Sequence, residues 1–552
     1  MRASARGCHK PLFTTSDLDS TTEFPDELQY LGKCNSLSFA FQETAANSPR
    51  LPSGRTAVKI LDWLVIAAYA ALMLGVGAFY SRKNKTADDF LLGGRRMSPI
   101  VLGLSLFATL VSTLSYLGNP GEMISYGPMM MMQSAAHPLI FVIVGYGLIP
   151  LLMRQPVTSA YELLEKRLGM SIRLAGAGVF LLLRLGWMAT ILFATSKVVL
   201  VPLLGLSQYW TPWLCILLGV IAALYSSTGG LKAVVVTDAI QSITMLAGAV
   251  ITLAVITVRM GGVSEWWPAT FPSHWQEPNW GFDPNARVSF GMLMLSTTLW
   301  YVCTNGSDQM SIQRFLSTRD ASAARKTLFV SQVTDVSVSL LLGLTGIAVM
   351  GFYHAHPLEL AAGQSLHSIG DQLFPRFIMT QVPAGLSGLV LAALLCAALS
   401  SLSSGVNSAC AVIEKDFLSR WPRFGSSDTA TVARLKWLTW LVAVIAVALS
   451  MLNLLFVGNL VERCFKLINL LTAPLFVLFF LALFVRWANA FGAWLGLLAS
   501  IATAVSIAYS KELSLPLTVS FVWIIPCSLI VGITVGTIAS GLTQRTRLES
   551  NR

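Results

Sequence analysis

The sequence alternates between long apolar segments and short polar connections over most of its length. Each apolar segment holds about 20 residues, which is the length that a helix needs to cross the hydrocarbon core of a bilayer. Because lipid offers the backbone no hydrogen-bond partner, we expect each span to be helical. Thirteen such segments are present, at residues 60–80, 98–120, 132–153, 175–201, 211–227, 233–258, 286–306, 327–353, 383–412, 437–457, 464–485, 490–509 and 516–540.

The composition agrees with this pattern. Of the 552 residues, 54% are hydrophobic and 12% are charged, and the mean hydropathy is +0.66. Soluble domains carry about 25% charged residues, so a soluble fold is excluded. Residues 59–541 are predicted to be a transmembrane domain in the cell membrane, followed by a cytoplasmic tail at 542–552. Residues 1–58 are polar without a signal-peptide core, which predicts a disordered segment or one added by a start codon chosen too early.

The basic residues fix an orientation. With the N-terminus outside, the predicted cytoplasmic connections and tail hold 23 basic residues and the outer connections hold six. This bias follows the positive-inside rule and predicts thirteen spans with the N-terminus outside and the C-terminus inside. The net charge of +11 is spread over these short connections, so the expected partners are the lipid bilayer and a small solute, not nucleic acid. The oligomeric state is left open.

Several classes of membrane protein lack support in the sequence. The eight cysteines form no CxxC pair, and the six histidines form no cluster at metal-ligand spacing. No GxxxxGK[ST] loop for nucleotide binding occurs. The serines of the ninth span have no basic residue nearby that could activate a nucleophile. We therefore expect a secondary transporter and not an enzyme, a pump driven by ATP, or a channel.

Two of the predicted spans carry polar runs typical of interrupted helices. The second span holds five hydroxyl residues within 105–115 and Pro120, and the seventh ends in the polar run 304–309. Broken helices form the ion and solute sites of many secondary transporters. The two runs lie five spans apart, which favours inverted five-helix repeats at about 98–258 and 286–485. A packing face of small residues is the alternative interpretation of the second span.

The ninth span is the most informative segment. It contains Ser400, Ser401, Ser403, Ser404 and Asn407 inside an apolar helix. Ala397, Ser400 and Ser401 stand at i, i+3 and i+4, so they share one helix face. One carbonyl and two hydroxyls are hard oxygen ligands that suit an alkali cation. Carbonyls freed by a break in the second span would complete a cage of five oxygens without formal charge.

At this point the chain also resembles a known family, the sodium:solute symporters. The resemblance runs from about residue 62 to the thirteenth span. It is carried by the Ser/Asn pattern of the ninth span and by four short motifs, which are DDFLLGGR at 88–95, YELLEKR at 161–167, TGGLKAVVVTD at 228–238 and QRFLS at 313–317.

This resemblance implies the leucine-transporter-like fold with one extra N-terminal helix and sodium as the co-transported ion. It implies that the sodium ligands are the backbone carbonyls of Ala108 and Val111 together with Ala397, Ser400 and Ser401. Asp238 matches an acidic position near the inward sodium path. The alternative for Asp238 is a residue at a helix start, at the membrane interface, that interacts with the helix dipole.

The solute is expected at the two breaks, where the candidate residues are Leu110, Leu114, Ser115, Thr304 and Asn305. Sugar transporters of the family have polar or stacking side chains where this chain has Leu110, Leu114 and Thr304, so the chain looks more like the branch that carries monocarboxylates, vitamins or iodide. We expect no Arg or Lys at either break, and an anionic solute would therefore depend on half-helix N-termini and the bound sodium.

Other functions remain open at this point: a proton-coupled symporter, a sugar or amino-acid symporter of the same fold, or a solute sensor that does not transport. Two charged residues within the spans, Arg184 and Asp335, could pair with each other or line the inner cavity.

Overall fold

A computed structural model describes residues 59–81, 86–154, 157–283, 286–360, 364–420, 427–453, 460–516 and 519–550. The segment 1–58, for which disorder was predicted, lies outside the described residues. Within the described ranges every regular element is a helix, as the hydropathy pattern predicts.

The α-helices are numbered here in chain order. Those before residue 270 are α1 (Ile60–Ser81), α2 (Ala87–Leu92), α3 (Pro99–Leu110), α4 (Thr113–Tyr126), α5 (His137–Val142), α6 (Ile149–Met153), α7 (Glu162–Leu168), α8 (Met170–Ala194), α9 (Val201–Leu203), α10 (Thr211–Met260) and α11 (Val263–Trp266). Those after it are α12 (Phe290–Ser307), α13 (Gln309–Leu316), α14 (Ala321–Ala355), α15 (Gly370–Gln381), α16 (Leu386–Val412), α17 (Asp428–Leu452), α18 (Leu460–Phe484), α19 (Ala490–Ala508) and α20 (Ile524–Ser550).

Shorter helical segments of other types extend these helices. Three π-helical segments lie at Ile143–Leu148, Thr195–Leu200 and Ile413–Phe417. The 3-10 segments are Gly93–Arg95, Pro128–Ala136, Gln208–Trp210, Leu366–Ile369, Leu418–Arg420 and Phe521–Trp523.

Nine helical segments of the described residues are long and apolar enough to cross a membrane, and a tenth is obtained if the bent pair α2–α3 is counted. One of the nine, Gln208–Met260, covers two of the predicted spans. Gly230 interrupts it with φ 57° and ψ −161°. A side chain at Gly230 would strain this backbone and would place its Cβ 2.9 Å from the ring of Phe90. Glycine is therefore required where the fifth and sixth predicted spans join.

The second predicted span is broken. Helix α3 ends at Leu110, and α4 begins at Thr113 after two extended residues, Val111 and Ser112. The Ser112 hydroxyl caps α4 by accepting from the backbone N–H of Ser115 at 3.4 Å. Pro120 lies inside α4, well past the break. The interruption thus falls among the hydroxyl residues and not at the proline.

The seventh predicted span is broken in the same manner. Helix α12 ends at Ser307, and α13 begins at Gln309. Between them Asp308 is extended, with φ −82° and ψ 124°, and its carboxylate accepts from the backbone N–H of Met310 at 2.8 Å. A polar residue therefore starts each second half-helix, because the first N–H groups of a helix need an acceptor.

Helix α16 lies at the centre of the fold, and 89% of its most apolar stretch is buried. It contacts α1, α3, α8, α10 and α17. Its N-terminus is held by Asp62 of α1, whose carboxylate accepts from the N–H groups of Gly385 at 2.7 Å and Gly388 at 2.8 Å and from the Ser387 hydroxyl at 2.7 Å. Helix α1 is thus attached to the helix that carries the serine row, which comprises Ser400, Ser401, Ser403 and Ser404.

The last two long helices, α19 and α20, pack through small residues. Gly492, Gly496 and Ser500 stand on α19 at four-residue spacing, and Gly532, Gly536 and Ser540 repeat this spacing on α20. A Cβ on Gly496 would lie 2.7 Å from the carbonyl oxygen of Gly532. The backbones approach this closely because neither glycine has a side chain. Helix α20 runs to Ser550, so the predicted tail at 542–552 begins as a continuation of this helix.

The motifs that carry the family resemblance meet in space. Lys232 donates to the Asp89 carboxylate at 2.7 Å, and the Gln313 amide donates to the carbonyl of Leu91 at 2.5 Å. The Tyr161 hydroxyl donates to the carbonyl of Ser307, at the end of α12. Three of the four short motifs are thus in direct contact with one another, and the fourth contacts the residue that precedes the second break.

Candidate functional site

The serine row of α16 faces the break between α3 and α4. The Ser400 hydroxyl donates to the carbonyl of Ala108 at 2.7 Å, and the Ser401 hydroxyl donates to the carbonyl of Val111 at 3.0 Å. Ser400 also lies 3.5 Å from the carbonyl oxygen of Ala397. The structure therefore brings together all five residues that were predicted as sodium ligands.

The chemistry of this cluster suits a small monovalent cation. Ser400 and Ser401 are fully buried, and the cluster contains neutral oxygens only. Each hydroxyl now directs its proton at a carbonyl, and rotation of the hydroxyl would present oxygen lone pairs to a cation instead. The carbonyls of Ala108 and Val111 can turn toward this point because the helix is interrupted between Leu110 and Thr113. Within an unbroken helix, the same carbonyls would accept intrahelical hydrogen bonds.

Asp238 lies beside this cluster in a fully buried polar network. Its carboxylate accepts from the hydroxyls of Ser105 at 2.7 Å and Ser404 at 2.8 Å, and it pairs with the guanidinium of Arg314 at 3.0 Å. Arg314 also donates to the Thr109 hydroxyl at 2.5 Å. Asp238 stands well inside the second half of α10, so the alternative of a helix-start residue at the interface is wrong.

Two arginines occupy the region of the breaks, although neither is adjacent to a break in sequence. Arg314 lies against the first break through Thr109, and its side chain is 1% exposed. Arg184 of α8 forms a buried ion pair with Asp308, the residue at the second break. Asp335 is not the partner of Arg184, and the hypothesis that they pair is wrong. The expectation that the breaks lack cationic side chains is also wrong, because residues distant in sequence supply them.

The candidate solute residues lie at both breaks. Leu110 and Leu114 are half-buried and Ser115 is exposed at the first break, whereas Thr304 and Asn305 are buried at the second. The Asn305 amide donates to the carbonyl of Tyr301 at 2.8 Å, and its Oδ1 has no hydrogen-bond partner in the described part of the chain. A buried acceptor without a partner is costly, so this atom is suited to a ligand donor.

Sequence reasoning missed Arg314, Arg184 and Asp308 as residues of the site. Arg314 was counted among the cations of the cytoplasmic connections because it lies between the seventh and eighth predicted spans, 286–306 and 327–353. The available signal was Asp238, because a carboxylate within a span requires a partner.

An ion-pair network ties the YELLEKR motif to α16. Arg420 and Arg173 donate to Glu165 at 2.6 Å and 2.5 Å and hold the pKa of this carboxyl below its ordinary value. Arg173 also donates to Asp416 at 2.6 Å, just beyond α16. Three helical segments, α7, α8 and the extension of α16, are thereby joined by charge.

Comparison with known proteins decides the family. The model of the sodium:solute symporter family matches residues 90–500. This chain belongs to that family. The prediction made from the motifs is therefore confirmed, and the family's co-transported ion is sodium.

The curated relatives are sodium-coupled transporters of several solutes. The chain is 28% identical over 463 residues to the sodium/sialic acid symporter SiaT of Proteus mirabilis, covering 82% of this chain and 90% of the relative. It is 28% identical over 479 residues to the human sodium-coupled monocarboxylate transporter 1, covering 84% and 76%. It is 28% identical over 452 residues to a putative sodium-dependent multivitamin transporter of Drosophila melanogaster, covering 80% and 73%.

Solved structures show the same architecture. A substrate-bound, outward-open sodium-coupled sialic acid symporter, described as having a novel sodium site, superposes with a TM-score of 0.77 at 26% identity, covering 88% of this chain and 98% of that one. The inward-facing form of Mhp1 superposes with a TM-score of 0.53 at 15% identity, covering 82% and 92%, which shows the shared fold alone. The protein is thus a multi-pass membrane transporter of the sodium:solute symporter family.

Proposed function

We propose that the protein is a sodium-coupled symporter that imports a small solute, a monocarboxylate or another small anion, by alternating access. One observation carries this proposal. The hydroxyls of Ser400 and Ser401 lie on the freed carbonyls of Ala108 and Val111, so a continuous helix and a broken one share a cluster of neutral oxygens. An ion at this point would bind both helices and would stabilise one arrangement of them relative to the other.

The proposed sodium ligands are the carbonyl oxygens of Ala108, Val111 and Ala397 and the hydroxyl oxygens of Ser400 and Ser401. The lack of a carboxylate among these five favours a monovalent over a divalent cation. Asp238 is the proposed acidic residue on the inward sodium path. It is connected to the cluster through Ser403, whose hydroxyl contacts the carbonyl of Ser400 at 3.1 Å and Asp238 at 3.5 Å.

The proposed solute site comprises Leu110, Leu114, Ser115, Thr304 and Asn305. Helix α4 begins beside Ser115, and the free N–H groups of a helix start favour an anionic group. Leu110 and Leu114 offer apolar surface that suits a short carbon chain better than a sugar ring. Near the second break Asp308 neutralises Arg184, so this ion pair does not select for the charge of the solute. The helix start and the two leucines favour a small anion over the sugar and amino-acid alternatives.

We also propose thirteen spans with the N-terminus outside and the C-terminus inside. The two broken helices, α3–α4 and α12–α13, would then begin the repeats at about 98–258 and 286–485. The bias of basic residues to one side supports this orientation. In such a scheme residues 59–541 form one transport domain without enzymatic activity. One sodium ion moving inward down a potential of 100 mV contributes about 2.3 kcal/mol from the field.

Uptake into proteoliposomes tests the proposal. Purified protein would be supplied with labelled lactate, biotin, iodide, proline or glucose, with an inward gradient of sodium or of choline. We expect sodium-stimulated uptake of an anionic member of this set. A third condition, a proton gradient without sodium, tests the proton-coupled alternative. Solute binding to purified protein without any uptake would favour the sensor instead.

Substitution of the serines tests the sodium site. Ser401→Ala should raise the sodium concentration for half-maximal uptake by about tenfold or more while the protein remains folded. Ser408→Ala is the matched control, because Ser408 is equally buried on α16 and its hydroxyl only contacts the carbonyl of Gly405, on the same helix. Normal sodium activation in Ser401→Ala would contradict the assignment of this site.

A further inference from the structure

A second buried cluster of ionisable side chains lies outside the sodium cluster. His137, at the start of α5, places its Nε2 2.9 Å from Oδ2 of Asp335 on α14. The hydroxyl of Tyr301, on α12, donates to the same carboxylate oxygen. The side chains of His137 and Asp335 are 8% and 13% exposed. Three helical segments thus meet at one carboxylate within the membrane domain, where ionisable groups are costly and typically functional.

The hydrogen-bond pattern determines how many protons this cluster holds. The Nδ1 of His137 lies 3.1 Å from the carbonyl oxygen of Ser134, which can only accept. Its Nε2 faces a carboxylate oxygen that already accepts from Tyr301. Two acceptors at the two ring nitrogens require two ring protons, and a neutral imidazole has only one. The contacts therefore match an imidazolium paired with a carboxylate.

Charge balance favours the same state. With its second ring proton, the pair has no net charge. Without that proton, one ring nitrogen faces an acceptor with no hydrogen between them, and a buried carboxylate is left without a cation. A proton on Asp335 instead of the ring would weaken Oδ2 as the acceptor for Tyr301. All hydrogen-bond groups of the cluster therefore have partners only when His137 is an imidazolium and Asp335 a carboxylate. This state holds one proton more than a neutral imidazole beside a carboxylate.

The charged groups on the surrounding elements do not replace this proton. The described contacts of the cluster join Tyr301 from α12, Asp335 from α14 and His137 from the third span. The nearest cations along α14, Lys326 and Arg325, are nine and ten residues away, about 14–15 Å along the helix. The guanidinium of Arg325 lies over the ring of Tyr146 at 5.0 Å.

The cluster is linked to the second break. The carbonyl of Tyr301 accepts from the amide of Asn305, one turn further along α12. We infer that His137 and Asp335 form a proton-binding site, and that the bound proton fastens α12 to the third span and α14, so that solute uptake falls when this proton is lost at higher pH. The inference on uptake rests on the proposed function, whereas the inference on the proton does not.

Nitrogen NMR of histidine-labelled protein in detergent tests the proton directly. The His137 signal is the one that His137→Gln removes. At pH 7.0 we expect both ring nitrogens of His137 to be protonated, because each faces an acceptor. In Asp335→Asn the ring should be neutral at the same pH. Tyr301→Phe is the control, because it keeps the ion pair and should keep the doubly protonated ring. A neutral His137 ring in the unmodified protein would overturn the inference.

Uptake measured from pH 5.5 to 8.5, at a fixed sodium gradient, tests the consequence. We expect a decline of about tenfold as the pH rises, and a nearly flat profile in both His137→Gln and Asp335→Asn. His356→Gln is the control and should keep the decline, because within the described residues the ring of His356 stacks on Phe352, at 4.4 Å, and contacts its carbonyl. An unchanged decline in both test variants would refute the role in uptake. If no solute is transported at all, the proposed function fails, and the NMR result still decides the proton site.

Discussion

The central helix α16 and the C-terminal pair α19–α20 both carry rows of small residues at helical spacing, yet the two regions use them differently. On α16, the hydroxyls of Ser400 and Ser401 reach carbonyls of a broken neighbour. On α19, the row of Gly492, Gly496 and Ser500 lets α20 approach closely, and the Ser500 hydroxyl has no partner within the described residues. The partner helix makes the difference: a broken helix offers free carbonyls, whereas a continuous one offers only surface to pack against.

This comparison predicts that changes around α16 alter ion binding or charge balance, whereas changes between α19 and α20 alter stability alone. The largest effect is expected at Arg314, which donates to Ser404 of α16 at 2.5 Å and pairs with Asp238. Arg314→Gln leaves a buried carboxylate without its cation and should destabilise the protein by about 3–5 kcal/mol. Thermal unfolding in detergent measures this. The double variant Asp238→Asn, Arg314→Gln should recover most of the stability that Arg314→Gln loses. An unchanged Tm in Arg314→Gln alone would show that the ion pair does not stabilise the protein.

The next largest effect is expected for sodium binding. The double variant Ser400→Ala, Ser401→Ala removes two oxygens from the proposed cage. A hydrogen bond or oxygen contact to a charged group contributes about 1.5 kcal/mol or more, so the sodium concentration for half-maximal uptake should rise about a hundredfold. The Tm without sodium should also fall, because the buried carbonyls of Ala108 and Val111 lose these hydroxyl donors. Equal sodium affinity in the double variant and the native protein would show that the serines of α16 do not bind sodium. The row of small residues on α16 would then not differ in function from the row on α19.

A smaller effect, on stability alone, is expected at the C-terminal pair. Gly496→Ala places a Cβ 2.7 Å from the Gly532 carbonyl oxygen, so the two helices must move apart. Overpacking of this kind costs about 1–3 kcal/mol, and the Tm should fall accordingly. The sodium concentration for half-maximal uptake should stay the same. A large change in sodium affinity would show that this pair is coupled to the ion site.

The smallest effect is expected for Ser500→Ala. The hydroxyl of Ser500 is buried and makes no hydrogen bond in the described structure, so its removal should raise the free energy of unfolding slightly, by about 1 kcal/mol or less. Sodium activation should also be unchanged. Together with the double variant on α16, this substitution isolates the role of the partner helix, because the same Ser→Ala change is made in both rows.

Much of the fold could be predicted from the sequence because hydropathy reports directly on contact with lipid. The helical spans, the interruptions in the second and seventh of them, and the shared face of Ala397, Ser400 and Ser401 all follow from local patterns. The place of the first break was less certain. Pro120 marks a weak point in a helix, but the chain is interrupted at Val111 and Ser112, where hydroxyls and free carbonyls of two helices meet.

The pairing of buried charges could not be predicted in this way. Asp238 with Arg314, Arg184 with Asp308 and His137 with Asp335 each join helices that are far apart in the sequence. From periodicity alone, Arg184 and Asp335 could be partners of each other. Arg314 was placed in a loop for the same reason, because periodicity shows no contacts between helices. Which charges meet depends on the tilt and the rotation of each helix, and packing against the neighbouring helices sets both.

The sequence by itself determined that this protein is a helical membrane transporter with a row of serines facing an interrupted helix, because membrane spans and helix faces are properties of residues close together in the chain. Only the tertiary structure decided which oxygens meet at the candidate ion site, which cations neutralise Asp238 and Asp308, and that His137 contacts Asp335. These contacts join residues separated by up to about three hundred positions, and only the packing of whole helices brings such residues together.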